Sequence, residues 1–169
     1  MSLPDLLAPG LRVVIAGTIA QWHRDEREHY YAGAGNKFWV LLHESGLVPE
    51  LLAPDEDERV LDFGVGLTDM VRTRVSEPGE PPVFDRAGFE RRLRRAAPLA
   101  VAFVSKTAAN SYARAAGLRL VRDYGAPSWT VADRPAFVLP GPSGANNGMP
   151  LPLRIALWRD LADFLETLD

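Results

Sequence analysis

Hydrophobic residues along this chain fall into short continuous runs that alternate with segments of helical periodicity. Four runs are apolar almost throughout, which is typical of strands buried on both faces of a sheet. They lie at 11–16, 65–71, 99–105 and 135–140. Because the intervening segments have helical spacing, the order predicts an α/β fold: a three-layer α/β/α sandwich around a central, mainly parallel four-stranded sheet.

Capping residues mark where the predicted helices begin and end. Asn36 is the expected cap of the first helix, and Asp85 caps a later helix with a basic face. Asp55 is the expected cap of one or two short helical turns, and Gly117 ends an alanine-rich helix. Each amphipathic helix should bury one stripe. The stripe of the first helix is Phe38, Leu41, Leu42 and Ser45, and that of the closing helix is Leu153, Leu157, Leu161, Phe164 and Leu168.

Composition bounds the class of protein without pointing to an activity. The 169 residues predict a single domain over 1–169, and 47% apolar with 24% charged residues fits a globular protein with a hydrophobic core. The net charge of −3 means that any nucleic-acid contact needs a local basic patch. Cysteine is absent, which excludes disulfides, thiolate nucleophiles and zinc–cysteine sites.

The same composition sets expectations about compartment, cofactors and assembly. We expect a cytoplasmic protein without signal peptide or membrane span, since no apolar run approaches the roughly 18 residues that a span needs. The three histidines lack metal-ligand spacing, so we expect no metal and no other cofactor. Without heptads or a large apolar surface signal, a monomer is the simplest assembly.

The loops that follow the carboxyl ends of the strands are the expected location of function. They span 17–35, 69–82, 105–107 and 141–151. The first is polar and aromatic, and loops of this length inside compact domains are usually functional. Its opening residues, "GTIAQW", nevertheless contain no nucleophile beside a base, no phosphate-binding glycine run and no metal cluster.

Three segments together resemble the motifs of one family. They are "HYYAGAGNKFW" (29–39), "GVGLTDMV" (64–71) and "LPGPSGANNG" (139–148). In this order they are similar to the mismatch-specific uracil/thymine DNA glycosylases of the uracil-DNA glycosylase superfamily, over about 11–168. The resemblance implies the same three-layer fold and a DNA repair enzyme of base excision, which flips a damaged base out of DNA and hydrolyses its N-glycosidic bond.

The resemblance also implies roles for residues at the base pocket. Tyr31 matches the aromatic that stacks on the flipped base, and Asp69 matches a residue that reads the base edge. An ionised carboxylate only accepts hydrogen bonds, so Asp69 takes the N3–H of uracil but repels the flanking carbonyls, and it suits hypoxanthine or xanthine better. The full set of implied base-binding residues is Gly17, Thr18, Ile19, Tyr31, Asn36 and Asp69.

Further residues are expected to contact the DNA strand. In the family the third motif presses on the DNA strand and inserts a wedge where the base has left. The candidates for that wedge here are Ala145, Asn146, Asn147 and Met149. Basic residues at strand ends supply a local positive rim, whereas the arginines 91, 92, 94 and 95 are expected on a solvated helix face. The expected DNA contacts are Arg72, Arg74, Lys106, Ser143, Gly144, Asn146 and Asn147. An acidic protein with such a rim should bind DNA with modest, salt-sensitive affinity.

The chain departs from the family at the end of the first strand. Relatives have Gly-Ile-Asn-Pro-Gly there, and the Asn positions the attacking water; counting back from the first motif, Ile19 takes that place. Three explanations are open. A carboxylate, His or amide of the following loop replaces the Asn, or hydrogen-bond donors stabilise the leaving base. In the third, the protein binds lesions without cleaving the glycosidic bond. The catalytic candidates are Gln21, His23, Asp25 and Glu26, with Glu28 and His29 in the same loop.

Three functions therefore remain open from the sequence. The leading one is a monofunctional DNA glycosylase for uracil or another deaminated base. The alternative is a non-catalytic DNA lesion- or mismatch-binding protein of the same fold, and the weakest is an α/β hydrolase of free nucleosides or small glycosides. The first two share one partner, DNA containing a damaged or mismatched base.

Overall fold

The computed structural model of the protein describes residues 3–19, 29–71, 83–144 and 148–168. In these ranges one sheet contains five strands. They are β1 (Val13–Ile19), β2 (Val65–Val71), β3 (Ala100–Val104), β4 (Thr130–Val131) and β5 (Arg134–Leu139). The helices of the same ranges are α1 (Phe38–Glu44), α2 (Arg86–Ala96), α3 (Lys106–Ala116), α4 (Leu151–Glu166) and a 3₁₀ helix (Pro54–Phe63).

The sheet has the strand order β2-β1-β3-β5-β4. The four predicted strands are all present and pair in parallel, but a fifth strand corrects the predicted number. The short β4 pairs antiparallel to β5 through a turn at Ala132 and Asp133, which have φ angles of 49° and 67°. A two-residue turn with both φ angles positive suits a hairpin. Sequence reasoning missed it because Ala-Asp lacks the usual Asn-Gly signature.

The first strand is also longer and later than predicted. It begins at Val13 and runs through Gly17 and Thr18 to Ile19, residues that the polarity of the sequence assigned to a loop. Pairing explains the extension, because β2 continues alongside: Gly17 faces Asp69 and Ile19 faces Val71 in the register. The candidate residues at this end of β1 therefore lie on the sheet.

Helices cover both faces of the sheet, which confirms the α/β class. One face carries Ile15 and Leu67 and packs against α1, the 3₁₀ helix and α4. The opposite face carries Val14 and Phe103 and packs against α2 and α3. The outer edge of β2 is covered by the amino-terminal segment, where Leu6 and Leu67 exchange both backbone hydrogen bonds.

The predicted caps and helical faces have mixed outcomes. Asp85 accepts from Gly88 N–H at the start of α2, and Gly117 ends α3 in the left-handed conformation, as expected. The expected cap Asp55 is wrong: the 3₁₀ helix begins after Ala53, whose N–H donates to Glu56 Oε1 at 3.0 Å. The predicted stripe of α1 is buried throughout.

The buried face of α4 is rotated from the prediction. Leu153 is 49% exposed, whereas Arg154, Trp158, Leu161 and Leu165 are buried. The indole N–H of Trp158 donates to Pro140 O at 3.1 Å, so the largest side chain of the helix faces the sheet. The buried face of α4 is therefore centred on Trp158. Among the described residues, no helix has both the length and the apolar character needed to cross a membrane.

Candidate active site

The candidate site lies where β1 and β2 end side by side. Gly17 and Asp69 are register partners, and the Asp69 side chain is only 4% exposed. A Cβ on Gly17 would lie 2.9 Å from Asp69 Oδ1 and 3.2 Å from the Tyr31 hydroxyl oxygen. The strand backbone is therefore approached by two polar side chains from different parts of the chain, and glycine leaves the room for both.

Tyr31 presents a buried hydroxyl on a ring that is only partly covered. Its ring stacks on Phe38 with centroids 3.9 Å apart and planes 13° from parallel. The hydroxyl oxygen is buried and has no hydrogen-bond partner among the described residues. Burial, reinforced by the negative charge of Asp69 and by Tyr30, holds the pKa of Tyr31 well above its usual value. The phenol is therefore protonated at neutral pH and carries an O–H.

Asp57 fixes the segment that leads to Tyr31. This carboxylate of the 3₁₀ helix is 6% exposed and accepts the Tyr30 N–H at 3.0 Å. Its other oxygen lies 3.4 Å from Nδ1 of His29. The backbone then turns sharply, because Tyr31 has a φ of 51°. Asp57 was missed from the sequence, since its partners lie nearly thirty residues away.

The first and third motifs are in direct contact. Asn36 Oδ1 accepts the Phe38 N–H at 2.9 Å, which is the expected capping bond, although the helix proper begins after Lys37. The Lys37 N–H in turn donates to Pro142 O at 2.8 Å. A Cβ on Gly144 would lie 2.8 Å from Gly35 O, so the backbones of the two loops are packed against one another.

A buried arginine of α4 supports the third motif from behind. Arg154 is 6% exposed, and its guanidinium donates to Gly141 O at 3.4 Å and to Ser143 O at 3.2 Å. Ser143 and Gly144, two of the expected DNA contacts, are exposed. Because the buried face of α4 differs from the predicted one, Arg154 lies against this loop and holds its backbone.

The expectation that Arg92 lies on a solvated helix face is wrong, because its side chain contacts the outer edge of β2. Its guanidinium donates to Asp69 O at 2.8 Å and lies 3.0 Å from Asp5 Oδ2. Thr68 joins this network by donating to Asp5 Oδ1 at 2.6 Å. The main chain of Asp69 is therefore held by an arginine that helical periodicity placed in solvent.

Lys106 begins α3 directly after β3, at the same edge of the sheet. Its ammonium lies 4.3 Å above the ring of Tyr124, a cation–π contact. Sequence reasoning did not single out Tyr124. In the described part of the chain, no group of three or more His, Asp or Glu side chains is placed to hold a metal ion.

Several predicted residues fall outside the described ranges. These are the catalytic candidates Gln21, His23, Asp25 and Glu26, and the DNA-contact candidates Arg72, Arg74, Asn146 and Asn147. Thr18 is partly buried next to Gly17, and Ile19 ends β1. The structure therefore brings together Gly17, Tyr31 and Asp69 among the predicted base-binding residues, and it links Asn36 to Tyr31 only through Phe38.

Comparison with known proteins places the chain among related sequences and folds. A family model described as "Uracil DNA glycosylase superfamily" matches residues 4–162. A solution NMR structure described as "a putative Uracil DNA glycosylase from Methanosarcina acetivorans" superposes with a TM-score of 0.61 and 21% sequence identity. That match covers 98% of this chain and 97% of the other. At this identity the likeness concerns the fold.

Proposed function

The chain belongs to the uracil DNA glycosylase superfamily, and we propose that it acts as a single-domain, monofunctional DNA glycosylase. Its substrate is uracil or another deaminated base, such as hypoxanthine or xanthine, flipped out of DNA. Water adds its hydroxyl to C1′ while the C1′–N bond breaks. The base leaves with the bonding electron pair and takes up a proton, and an abasic site remains.

The observation that carries this proposal is the convergence of Tyr31 and Asp69 on Gly17. The candidate site offers one neutral O–H donor and one carboxylate beside the carboxyl ends of two neighbouring parallel strands, where α/β proteins bind ligands. A buried hydroxyl without a partner in the described chain is costly unless a ligand completes it. Deaminated bases present an N–H beside a carbonyl, which matches an acceptor next to a donor.

Asp69 sets the expected preference among these bases. An ionised carboxylate accepts the ring N–H, but it repels a second carbonyl on the other side of that N–H. Uracil has carbonyls on both sides of N3–H, whereas hypoxanthine has only one beside N1–H. We therefore expect hypoxanthine to be favoured over uracil, with the Tyr31 hydroxyl donating to the single carbonyl.

The water must be positioned by a group other than the residue at the end of β1. Ile19 has an aliphatic side chain, which offers neither a donor nor an acceptor. Glycosidic hydrolysis of this kind develops positive charge on the sugar, and a carboxylate both orients water and stabilises that charge. We propose that Asp25, Glu26, His23 or Gln21 from the following loop supplies this group. No Schiff base is involved, so no lysine nucleophile is required.

The same Ile19 favours a second candidate function. Without a water-positioning group, the protein would retain the base pocket and act as a non-catalytic reader of lesions or mismatches. Both functions would use the same contacts with the flipped base, but only the glycosylase would hydrolyse its N-glycosidic bond.

A cleavage assay separates them. Oligonucleotides containing uracil, hypoxanthine or xanthine, single- and double-stranded, are incubated with the protein and treated with alkali to reveal abasic sites. A glycosylase should give strand cleavage after alkali with at least one lesion-containing oligonucleotide and none with an unmodified duplex. Preferential binding to a lesion without any product would establish the reader instead, and binding without preference would contradict both.

Variants assign the roles within the glycosylase function. Asp69→Asn supplies a donor as well as an acceptor, so it should raise activity on uracil relative to hypoxanthine. Asp25→Asn and His23→Ala should each lower kcat if that side chain positions the water. Wild-type rates in all three variants on all three lesions would contradict the assigned roles.

A further inference from the structure

We propose that the DNA-contacting surface extends beyond Lys106 onto a cationic cleft, formed by residues 119–129, which holds the phosphodiester backbone of DNA beside the flipped base. This inference rests on the proposed function, because DNA is the ligand in both. It adds Arg119, Arg122 and Tyr124 as DNA contacts, none of which belongs to the three motifs.

At Tyr124 the cleft reaches the same edge of the sheet as the candidate active site. Lys106 follows β3 directly, and Tyr124 precedes Gly125, which exchanges two backbone hydrogen bonds with Val138 near the carboxyl end of β5. The third motif begins immediately after β5, and a Cβ on Gly141 would lie 3.8 Å from Ser105 Cβ. The start of the third motif, Lys106 and Tyr124 therefore lie near one another at that edge.

The cleft has a defined shape. Its volume is about 180 Å³, and Arg119, Arg122 and Tyr124 are among its lining residues. Trp129 also lines the cleft, and its indole N–H donates to Arg119 O at 3.0 Å. The Asn110 side chain pairs with both backbone groups of Val121, at 2.8 and 3.3 Å, which fixes the path of the segment.

Its charge suits a phosphate. Arg119 and Arg122 line the cleft together with one acidic residue, Asp123, and the ammonium of Lys106 lies 4.3 Å from the ring of Tyr124, another lining residue. Among the described residues, neither Arg119 nor Arg122 takes part in an ion pair with a carboxylate. Guanidinium groups bind phosphate oxygens through paired hydrogen bonds, and the protein as a whole is acidic, so a local cationic cleft at this edge selects a polyanion.

Salt-dependent binding of a lesion-free duplex tests the surface without requiring turnover. The probe is a mixed-sequence duplex of about 30 base pairs, and the variant is Arg119→Gln/Arg122→Gln. Each lost phosphate contact lowers the slope of log K against log salt by about 0.9, so the slope should fall by about 2. Between about 50 and 200 mM salt the wild type should lose roughly tenfold more affinity than the variant.

A charge-matched control is available on α2. Arg91→Gln/Arg95→Gln removes the same two charges from exposed positions, and Arg95 lies in the last turn, at the opposite edge of the sheet. This control should keep the wild-type slope, and Lys106→Gln should lower it by about 1. An unchanged slope in the Arg119/Arg122 variant, or an equal loss in the control, would overturn the inference. Absence of cleavage with the expected slopes would contradict only the proposed catalysis.

Discussion

At the scale of single residues, the Tyr31 hydroxyl is the group whose surroundings are hardest to explain without a ligand. It is buried, it lies close to Asp69 over Gly17, and the described chain gives it no hydrogen-bond partner. Folded proteins rarely leave such a group unpaired, except where a substrate pairs with it. The ring has a separate structural role through its stacking on Phe38.

Tyr31→Phe separates these two roles, since it removes the oxygen and keeps the ring. We expect kcat/KM on the preferred lesion to fall about 5- to 10-fold, the value of one hydrogen bond, with no loss of thermal stability. Tyr112→Phe is the control, because this phenol is buried against α2 on the opposite face of the sheet. It should retain wild-type kcat/KM, and equal activity of the two variants would contradict the role of the Tyr31 hydroxyl.

The raised pKa of Tyr31 predicts a loss of stability in alkali. The unfolded chain releases this proton near the ordinary value of 10.0, while the folded protein holds it to higher pH. The stability due to this difference is therefore complete below pH 10 and declines above it, by up to about 1.4 kcal/mol per pH unit. Urea unfolding at about pH 8 and pH 11 should show a smaller decline for Tyr31→Phe than for the wild type. Parallel declines would contradict this prediction.

The family resemblance singled out Tyr31 and Asp69, but the sequence does not show the contacts that bring them together. Their motifs lie almost forty residues apart, and nothing local indicates that both meet Gly17. Asp57 and Arg92 were missed for the same reason: each acts on a backbone group distant in sequence, Tyr30 N–H and Asp69 O. A carboxylate in a short helix and an arginine in a basic helix are each indistinguishable from solvated charges without the fold.

At the scale of elements, short buried strands were easier to predict than the faces of helices. The four apolar runs all form parallel strands, because burial on both faces requires continuous hydrophobicity. The buried stripe of α4 was predicted wrongly from Leu153 and Leu157. Arg154 and Trp158 instead face the protein interior, because both donate hydrogen bonds to carbonyl groups there. A polar residue that bonds to buried carbonyls counts as interior, and hydropathy alone does not reveal it.

The edge of β2 gives a prediction at this scale. Arg92 and Asp5 close the edge where the backbone pairing of Leu6 with Leu67 ends. Arg92→Ala should lower the free energy of unfolding by about 1–3 kcal/mol, since it removes the side-chain donor to Asp69 O and the ion pair with the Asp5 carboxylate. Arg91→Ala, one exposed residue away, should stay within about 0.5 kcal/mol.

A double-mutant cycle makes the edge prediction specific. If Arg92 and Asp5 act as a pair, the Arg92→Ala/Asp5→Ala variant costs less than the sum of the two single variants, as measured by urea unfolding. Strict additivity would show that Arg92 stabilises α2 by other contacts, such as its position over the Phe89 ring.

At the scale of the whole molecule, the sheet brings three distant motifs to one edge and their loops hold each other in place. The first and third motifs share the Lys37–Pro142 hydrogen bond, and the second is their neighbour through Asp69 and Gly17. Under the proposed function, base recognition and strand contact would be coupled through the backbone. The family resemblance predicted which segments would gather here, whereas the cationic cleft beside them follows from the path of residues 119–129 alone.

That coupling is tested by separating the two loops. The methyl of Gly144→Ala would lie 2.8 Å from Gly35 O, and a backbone neighbour cannot rotate away, so the loops must move apart at a cost of about 1–3 kcal/mol. At that cost the melting temperature should fall by several degrees, while the Kd for lesion-containing duplex rises about 5- to 10-fold.

Gly148→Ala is the matched comparison, since a Cβ there meets no atom of the described residues within 4 Å. Fluorescence anisotropy with a labelled lesion duplex measures both variants, and thermal unfolding excludes a general loss of fold. An unchanged Kd for Gly144→Ala would mean that the third motif contacts DNA independently of the first. An equal rise in both variants would mean that any methyl in this stretch disturbs binding, whatever the contact with Gly35.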